Sequence, residues 1–282
     1  MLCYSNIMYE EVIERHGANP GPVSIVLAGV HGNERCGVDA VSEILKDLQI
    51  VKGKVVFCYG NPKAITENKR FIEQNLNRMF NDEAILTDTE KGSYEFARAQ
   101  FLKPYMLSAG ALLDVHASLT PDSQPFVICE PNASGIVEQL PVARVVTGFD
   151  AVEPGGTDYF MNINGKIGVC IECGYTNDVQ SVARAKEGIL SFLRARGHLE
   201  RVHINREQEH IHMYDLYRTK TNTFMLTKEF GDFEHLSSGQ VIGYDGNEKI
   251  AAQKDCVILF ARNRERAGDE AFLLGEKKDG LA

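Results

Sequence analysis

The sequence predicts an α/β fold in which a mixed, mostly parallel sheet is flanked by helices and is followed by a smaller C-terminal all-β domain. Up to about residue 198, short apolar segments rich in β-branched residues alternate with helix-like segments, as in sheets with helices on both faces. Beyond that point, short β-like segments are separated by turns of Gly, Asn and Asp, which is typical of an all-β unit. We therefore predict an α/β domain at residues 1–198 and a β-rich domain at residues 199–282.

The individual elements of the first domain follow from local periodicity. Short apolar runs bounded by Gly, Pro or Asn predict buried strands, and apolar residues at helical spacing predict the helices between them. The predicted strands are residues 23–30, 55–59, 111–115, 126–129, 144–147 and 167–171, and the predicted helices are residues 37–48, 89–108 and 179–196. The polar stretch 66–82 lacks periodicity, so we expect a long functional loop with short helical turns.

The composition is that of a globular protein with a large core. Of its 282 residues, 44% are hydrophobic and 24% are charged. A core of this size folds without a structural metal, so a metal here would be catalytic. The net charge of −9 and the lack of a basic stripe argue against a nucleic-acid partner. An acidic chain that binds a small anion must therefore collect positive charge locally.

The sequence also lacks the usual signs of export or membrane insertion. Its first residues show neither the basic nor the apolar region of a signal peptide, and no stretch approaches the roughly 18 to 20 apolar residues that span a bilayer. The 7 cysteines are spread along the chain, which favours reduced thiols. We expect a cytoplasmic protein without a membrane partner, and homo-oligomerisation is left open.

Polar residues follow three of the predicted strands at their carboxyl ends, where α/β sheets bind ligands. His31 and Glu34 lie on a strand-to-helix turn, and their spacing allows both to bind one zinc ion. The alternative is a structural histidine with Glu34 stabilising a helix N-terminus. His116 ends another strand and is the third candidate ligand, or else a structural histidine. Asp114 points the same way as His116 and is a candidate to orient it.

Glu172 lies in a strongly apolar strand. A buried carboxylate requires either a partner or a raised pKa, so Glu172 is either a general base or half of a salt bridge with an arginine. Arg70, Asn77 and Arg78 lie in the loop 66–82. Guanidinium groups bind carboxylates and stabilise oxyanions, so these residues predict a site for an anionic substrate, with surface arginines as the alternative.

The order of these motifs resembles that of the succinylglutamate desuccinylase/aspartoacylase family, a branch of the zinc carboxypeptidase-like fold. The motifs are GVHGNE at 29–34, NP at 61–62, RFI at 70–72, LNRMF at 76–80, DVH at 114–116 and ECG at 172–174. The resemblance implies that His31, Glu34 and His116 bind one Zn²⁺ per chain and that Glu172 is the general acid/base. It also implies that Arg70 polarises the scissile carbonyl and that Asn77 and Arg78 hold the substrate carboxylate.

The resemblance further implies that the protein hydrolyses the amide bond of a small anionic N-acyl amino acid. A metallocarboxypeptidase acting on short peptides would use the same residues and is the main alternative. A non-catalytic binding protein on an enzyme scaffold is a second alternative, although such a protein is expected to have lost a ligand or the base. Residues 121–161 give no firm match to the family, and Arg144 and Tyr159 are candidates there for lining the pocket.

Overall fold

The computed structural model describes residues 12–121, 123–202 and 206–281. Within these residues the strands form an eleven-stranded sheet and a separate three-stranded sheet. The strands are β1 (Val12–His16), β2 (Asn19–Ala28), β3 (Lys52–Tyr59), β4 (Ala111–Ser118), β5 (Phe126–Cys129), β6 (Arg144–Thr147), β7 (Ile167–Tyr175), β8 (Glu209–Arg218), β9 (Phe224–Leu226), β10 (Glu234–Leu236), β11 (Val241–Asp245), β12 (Glu248–Ala251), β13 (Cys256–Leu259) and β14 (Glu270–Lys278). The helices are α1 (Arg35–Ile44), α2 (Pro62–Glu67), α3 (Asp88–Lys91), α4 (Tyr94–Ser108), α5 (Ser134–Val137), α6 (Phe149–Val152), α7 (Thr157–Ile163) and α8 (Ser181–Ala195).

The large sheet has the order β1-β3-β2-β4-β7-β5-β6-β8-β14-β13-β10. Its central strands β3, β2, β4 and β7 are parallel, β5 runs antiparallel to β7, and β6 and β8 each continue in parallel with their neighbour. Strand β4 is buried along its whole length, as expected for a parallel strand covered on both faces. The predicted fold class, a mixed and mostly parallel sheet flanked by helices, is confirmed.

Helices cover both faces of the central strands. On one face, Val41 of α1 and Ile189 and Phe192 of α8 join a core cluster. On the other face, Leu102 and Met106 of α4 join a second cluster. This layering fixes the carboxyl ends of β2, β4 and β7 at one edge of the sheet. The register of the β4–β7 pair places His116 beside Glu172 there.

The predicted helix at residues 89–108 is interrupted in the structure. Helix α3 ends at Lys91, and α4 begins at Tyr94 with its own cap, because the Ser93 hydroxyl accepts a hydrogen bond from the Phe96 N–H at 3.1 Å. Gly92 lies at the interruption and has a poor helix propensity. The predicted loop 66–82 contains the end of α2 and a 3₁₀ turn over Leu76–Arg78.

The C-terminal strands extend the large sheet. Strand β8 pairs in parallel with β6, and β14, β13 and β10 follow it in antiparallel order. Hydrogen bonding is therefore continuous across the predicted boundary at residue 198, and the division into two domains stays a prediction. Across residues 12–121, 123–202 and 206–281, no helix combines the length and the apolar character needed to cross a membrane.

Candidate functional site

The turn between β2 and α1 carries two of the predicted metal ligands. Gly32 approaches α2 so closely that a Cβ atom there would lie 2.0 Å from the carbonyl carbon of Ala64. The Gly32 N–H donates to the carbonyl of Arg70 at 3.3 Å. Only glycine tolerates such backbone contact, so this residue makes the turn compact and directs His31 and Glu34 inward.

The side chains of His31, Glu34 and His116 converge in the interior. His31 Nδ1 lies 2.9 Å from Glu34 Oε1, and His116 Nδ1 lies 3.0 Å from Glu34 Oε2. All three residues are buried, and one ligand atom from each lies within 4.8 Å of the other two. Glu34 occupies the N-cap of α1, but its side chain makes no capping hydrogen bond. Its carboxylate instead lies between the two histidines and also accepts hydrogen bonds from the Ala117 N–H and from Arg70.

In each histidine, the ring nitrogen that does not face Glu34 lies close to a second polar side chain. His31 Nε2 lies 3.0 Å from the side-chain oxygen of Asn75, which orients the ring. His116 Nε2 lies 3.0 Å from Asp114 Oδ2, and the same carboxylate oxygen accepts a 2.6 Å hydrogen bond from the Thr157 hydroxyl. Asp114 thus lies where the sequence analysis expected it, whereas Asn75 was missed because it is 44 residues from His31 in the chain.

Within this cluster, neighbouring charges shift the pKa values of Glu34 and His116 in the directions opposite to those that burial favours. Burial alone disfavours the charged form of Glu34, but the charge of His31 and the hydrogen bond from His116 outweigh it and hold the Glu34 pKa well below its ordinary value. Burial likewise lowers the His116 pKa, but the charges of Asp114 and Glu34 raise it well above its ordinary value. A positive charge is therefore strongly favoured beside these carboxylates.

This donor set fits a zinc ion. Two imidazole nitrogens with one carboxylate oxygen are typical ligands of a catalytic zinc, which keeps a further position open. His31 Nδ1 is buried and, despite its proximity to Glu34, has no hydrogen-bond partner of suitable geometry, so it is available as a ligand. Among the described residues, no other group of three His, Cys, Asp or Glu side chains has ligand atoms this close together.

Glu172 faces the same cavity from β7. Its Oε2 atom is buried without a hydrogen-bond partner, and no ion pair joins it to an arginine within the described chain. Burial, together with the negative charge of Glu34, raises the pKa of Glu172 to about 7. A carboxyl group with this pKa can both accept and return a proton near neutral pH.

The loop that carries the predicted arginines is anchored by a buried carboxylate on α4. Glu95 accepts backbone hydrogen bonds from Ile72, Glu73 and Gln74 at 2.8–3.1 Å, and another at 2.9 Å from the Asn61 side chain. The sequence analysis did not identify Glu95, because its partners lie more than 20 residues away along the chain. This anchor fixes the path of the chain between Arg70 and the following 3₁₀ turn.

The predicted arginines lie at the cavity but are already engaged. Arg70 Nη1 donates to Glu34 Oε1 at 2.9 Å. Arg78 forms ion pairs with Glu153 and, at 3.0 Å, with Glu270 Oε2. The side-chain oxygen of Asn77 accepts a 3.2 Å hydrogen bond from the Thr157 N–H. Arg78 therefore already has two carboxylate partners within the chain, and in this structure its guanidinium group is not free to bind a substrate carboxylate.

These residues line one cavity of about 150 Å³. Other parts of its wall come from segments in which the sequence analysis found no motif. Arg262 and Arg264, from the segment between β13 and β14, line its wall, as do Asp150 and Asp158. Of the two residues suggested for the pocket, Tyr159 lines it. Arg144 instead forms a 2.9 Å ion pair with Glu209 on β8. No sequence motif surrounds Arg262 or Asp158, so neither residue could be predicted to line the cavity.

Comparison with known proteins gives consistent results. Residues 20–196 match the family described as the succinylglutamate desuccinylase/aspartoacylase catalytic domain. A succinylglutamate desuccinylase of Vibrio cholerae serotype O1 is 23% identical over 275 residues, which cover 89% of this chain and 79% of the relative. A succinylglutamate desuccinylase of Idiomarina loihiensis is 36% identical over 77 residues, which cover 26% of this chain and 22% of the relative.

Solved structures share the fold. The succinylglutamate desuccinylase of Vibrio parahaemolyticus superposes with a TM-score of 0.80 at 18% identity, over 95% of this chain and 86% of the other. A succinylglutamate desuccinylase/aspartoacylase from Rhodobacter sphaeroides superposes with a TM-score of 0.70 at 20% identity, over 95% of this chain and 88% of the other.

Proposed function

Because this chain belongs to the succinylglutamate desuccinylase/aspartoacylase family, we propose that it is a zinc-dependent deacylase that hydrolyses the amide bond of a small, carboxylate-bearing N-acyl amino acid. The family membership confirms the resemblance found in the sequence. The observation that carries the proposal is the convergence of His31, Glu34 and His116 on one cavity that Glu172 also faces.

The residues that would hold the metal are His31, Glu34 and His116. When bound, a zinc ion would polarise the scissile carbonyl and lower the pKa of a nearby water. Asp114 and Asn75 contribute by fixing the two imidazole rings, since such outer contacts set the orientation of ligand histidines.

Glu172 acts in this proposal as the proton carrier. Its carboxylate accepts a proton from the attacking water and then returns that proton to the nitrogen of the departing amine. The raised pKa of about 7 supports both steps, because neither protonation state is strongly disfavoured near neutral pH. Arg70 lies beside the ligand Glu34, where its guanidinium would stabilise the negative charge that develops on the carbonyl oxygen.

Arg262 is the guanidinium group we propose for the substrate carboxylate. It lines the cavity, forms no ion pair within the described chain, and donates one hydrogen bond of 3.1 Å to the Thr120 hydroxyl. Arg78, by contrast, is paired with Glu153 and Glu270, so we propose that it holds the cavity wall in place. Asn77 would contribute to the binding of the substrate through its amide group.

The size of the cavity favours an acylated amino acid over a peptide. A volume of about 150 Å³ suits one small molecule and lies below the range of about 300–1,000 Å³ typical of pockets for larger ligands. Phe260 and Phe272 of the C-terminal segment form part of the cavity wall. A peptide would need this wall to open, so the metallocarboxypeptidase alternative is less well supported.

An activity screen tests the proposal. Zinc-loaded protein is assayed for amine release from N-acetyl and N-succinyl amino acids and from dipeptides, and bound metal is measured by mass spectrometry. We expect stoichiometric zinc and hydrolysis of at least one acyl amino acid. Glu172→Gln should lower kcat by about 10²- to 10⁴-fold, the usual contribution of a general acid/base, with its zinc content unchanged.

The control is Glu138→Gln, which removes an exposed carboxylate outside the cavity and should retain full activity. Protein that binds no zinc, a preference for dipeptides, or undiminished turnover by the Glu172 variant would contradict the proposal.

We further propose a cytoplasmic location. The six cysteines within the described residues form no disulfide with one another, which is typical of a reducing compartment.

A further inference from the structure

One side of the cavity is apolar and belongs to a single packed cluster. Strands β5, β7, β8 and β14 and helix α6 contribute side chains to this cluster or pack against it. Six of these residues also line the cavity, and we call them the apolar wall: Ile128, Phe149, Cys170, Leu216, Phe260 and Leu273. The cavity therefore has a contiguous apolar side as well as the charged side formed by the metal ligands and the arginines.

The strand register places the apolar wall next to Glu172. Across the antiparallel β5–β7 pair, Glu172 lies opposite Phe126, and Cys170 lies opposite Ile128. Both pairs share one face of the sheet, because side chains two residues apart on a strand point the same way. Strand β5 lies on the side of β7 away from β4. The wall therefore extends from the general acid/base away from the metal ligands.

Phe260 has an unusual backbone conformation for a bulky residue. Its φ angle of 55° lies in the left-handed region, which bulky side chains rarely adopt and which recurs at functional sites. The Asp232 carboxylate accepts the Phe260 N–H at 3.2 Å, and the Phe260 ring lies 5.9 Å from the Phe126 ring, centroid to centroid. Immediately after β13, the chain thereby presents both Phe260 and Arg262 to the cavity.

The proximity of Phe260 and Arg262 in the chain matches one half of an N-acyl amino acid. In such a compound the α-carboxylate and the side chain are bonded to the same carbon atom, whereas the acyl carbonyl must lie at the metal ligands. A carboxylate bound by Arg262 therefore brings the amino-acid side chain, rather than the acyl group, to Phe260. A polar side chain would lose water at the apolar wall without an equivalent hydrogen bond, while an apolar side chain gains by burial.

We propose that Phe260 and the apolar wall bind an apolar amino-acid side chain, so that the substrate is the N-acyl derivative of an amino acid such as leucine or methionine. This inference rests on the proposed function in taking the cavity as the substrate site and Arg262 as the partner of the α-carboxylate. That carboxylate is then the only charged group of the substrate. Phe260 is the residue that determines specificity for the side chain.

Ligands of nearly equal shape test this assignment. Nα-acetylleucine, Nα-acetylasparagine and Nα-acetylaspartate differ in whether the end of the side chain is apolar, polar or charged. Calorimetry uses the zinc-loaded Glu172→Gln protein so that the ligands stay intact. Acetylleucine should bind about 10- to 100-fold more tightly than acetylasparagine, the usual gain from burying a leucine side chain, and acetylaspartate should bind most weakly.

An isomer of acetylleucine tests which half of the substrate lies at the apolar wall. N-isocaproylglycine carries the same isobutyl group on the acyl side and has the same α-carboxylate. It should bind at least about tenfold more weakly than acetylleucine, because its isobutyl group cannot reach Phe260 while its carboxylate stays at Arg262. Equal binding of the two isomers would overturn the assignment of the wall to the amino-acid side chain.

Phe260→Asn, made in the same background, removes the ring and keeps the turn, because asparagine tolerates a left-handed backbone. It should reduce the preference for acetylleucine over acetylasparagine to less than about threefold. Phe233→Asn is the matched control and should leave the preference unchanged. Phe233 also has a positive φ of 65° and lies 5.0 Å from the Phe126 ring, but it lies outside the cavity lining.

Leu216→Thr makes the apolar wall polar at a second position and should also reduce the preference. Zinc content and thermal melting are measured for each variant, and the variants are judged on whichever of Phe260→Asn and Leu216→Thr remains folded. Binding of acetylasparagine or acetylaspartate as tight as that of acetylleucine overturns the inference. A preference that survives unchanged in a folded wall variant, or that is lost equally in Phe233→Asn, overturns it as well.

Turnover by the protein with Glu172 intact separates this inference from the proposed function. If acetylleucine binds selectively but no acyl amino acid is hydrolysed, the deacylase function fails and the apolar subsite stands. If acyl amino acids are hydrolysed with no preference for an apolar side chain, the deacylase function stands and the apolar subsite fails.

Discussion

Asp158, which lines the cavity, lowers the stability of the folded protein when it is ionised. Its pKa in the folded protein is about 6, above the ordinary value of 3.8, so its ionised form is less favourable in the folded than in the unfolded chain. The protein therefore loses stability as the pH rises from about 4 through 6, and the cost is complete above pH 6.

Removing this charge should stabilise the ligand-free protein. We expect Asp158→Asn to raise the free energy of unfolding by about 1–3 kcal/mol at pH 7.5, and the gain should vanish below about pH 3, where Asp158 is largely protonated in both the folded and the unfolded wild type. Urea denaturation in the presence of a chelator measures this without a contribution from metal binding. Asp47→Asn serves as the exposed control. Equal unfolding midpoints for Asp158→Asn and the wild type at pH 7.5 would contradict the expectation.

The residues that could be predicted from sequence are those attached to strand ends. His31, His116 and Glu172 each lie at or after an apolar run, and parallel strands must bring such positions to one edge of the sheet. Arg262 and Asp158 could not be predicted in this way. Their place in the cavity depends on how the segment between β13 and β14 and helix α7 pack against that edge, and no local pattern specifies this packing.

At the scale of elements, helix α4 does more than cover the sheet. Its residue Glu95 is fully buried and accepts three backbone N–H groups of the loop 66–82 as well as the Asn61 side chain. The sequence analysis identified this loop as functional, with short helical turns, but found no periodicity in it. Its order comes from a carboxylate on another element, which periodicity within the loop does not reveal.

Loss of the Glu95 side chain should lower catalytic activity without abolishing zinc binding. We expect Glu95→Ala to lower the free energy of unfolding by about 3 kcal/mol, since three partly buried backbone N–H groups and the buried Asn61 side chain lose their acceptor. We also expect it to lower kcat/KM more than about tenfold, because Arg70 and Asn77 lose their positions. Zinc should still bind at saturating concentration, because His31, Glu34 and His116 lie outside the loop, but its affinity should fall where Asn75 no longer orients His31.

Glu90→Ala provides a matched control for Glu95→Ala. Glu90 completes the capping box of the neighbouring helix α3, so its removal should cost only about 1 kcal/mol and leave kcat/KM unchanged. Chemical denaturation, metal analysis and steady-state kinetics on both variants are sufficient. A Glu95→Ala protein with wild-type kcat/KM would show that the loop keeps its conformation without the carboxylate.

At the scale of the whole molecule, the strands that carry His116 and Glu172 and the C-terminal strands β8, β14, β13 and β10 belong to one hydrogen-bonded sheet. The parallel pairing of β6 with β8 joins them, and the segment between β13 and β14 then returns to the cavity with Arg262. The sequence predicted a β-rich C-terminal part but gave no reason for it to reach the metal ligands. Its contribution to the cavity is a consequence of sheet order.

This arrangement predicts that the guanidinium group controlling carboxylate binding comes from the C-terminal part. Arg262→Ala should raise KM for an N-acyl amino acid by about 10- to 100-fold, the usual effect of losing a charged hydrogen-bond partner, while zinc content stays unchanged. Arg266→Ala, on the same segment but exposed and outside the cavity, should leave KM unchanged. Arg78→Ala should instead lower thermal stability, because Glu153 and Glu270 would lose their shared cation. A large KM effect for Arg78→Ala together with none for Arg262→Ala would return the carboxylate-binding role to the loop 66–82, because the ion pairs of Arg78 would then have to open to admit the substrate.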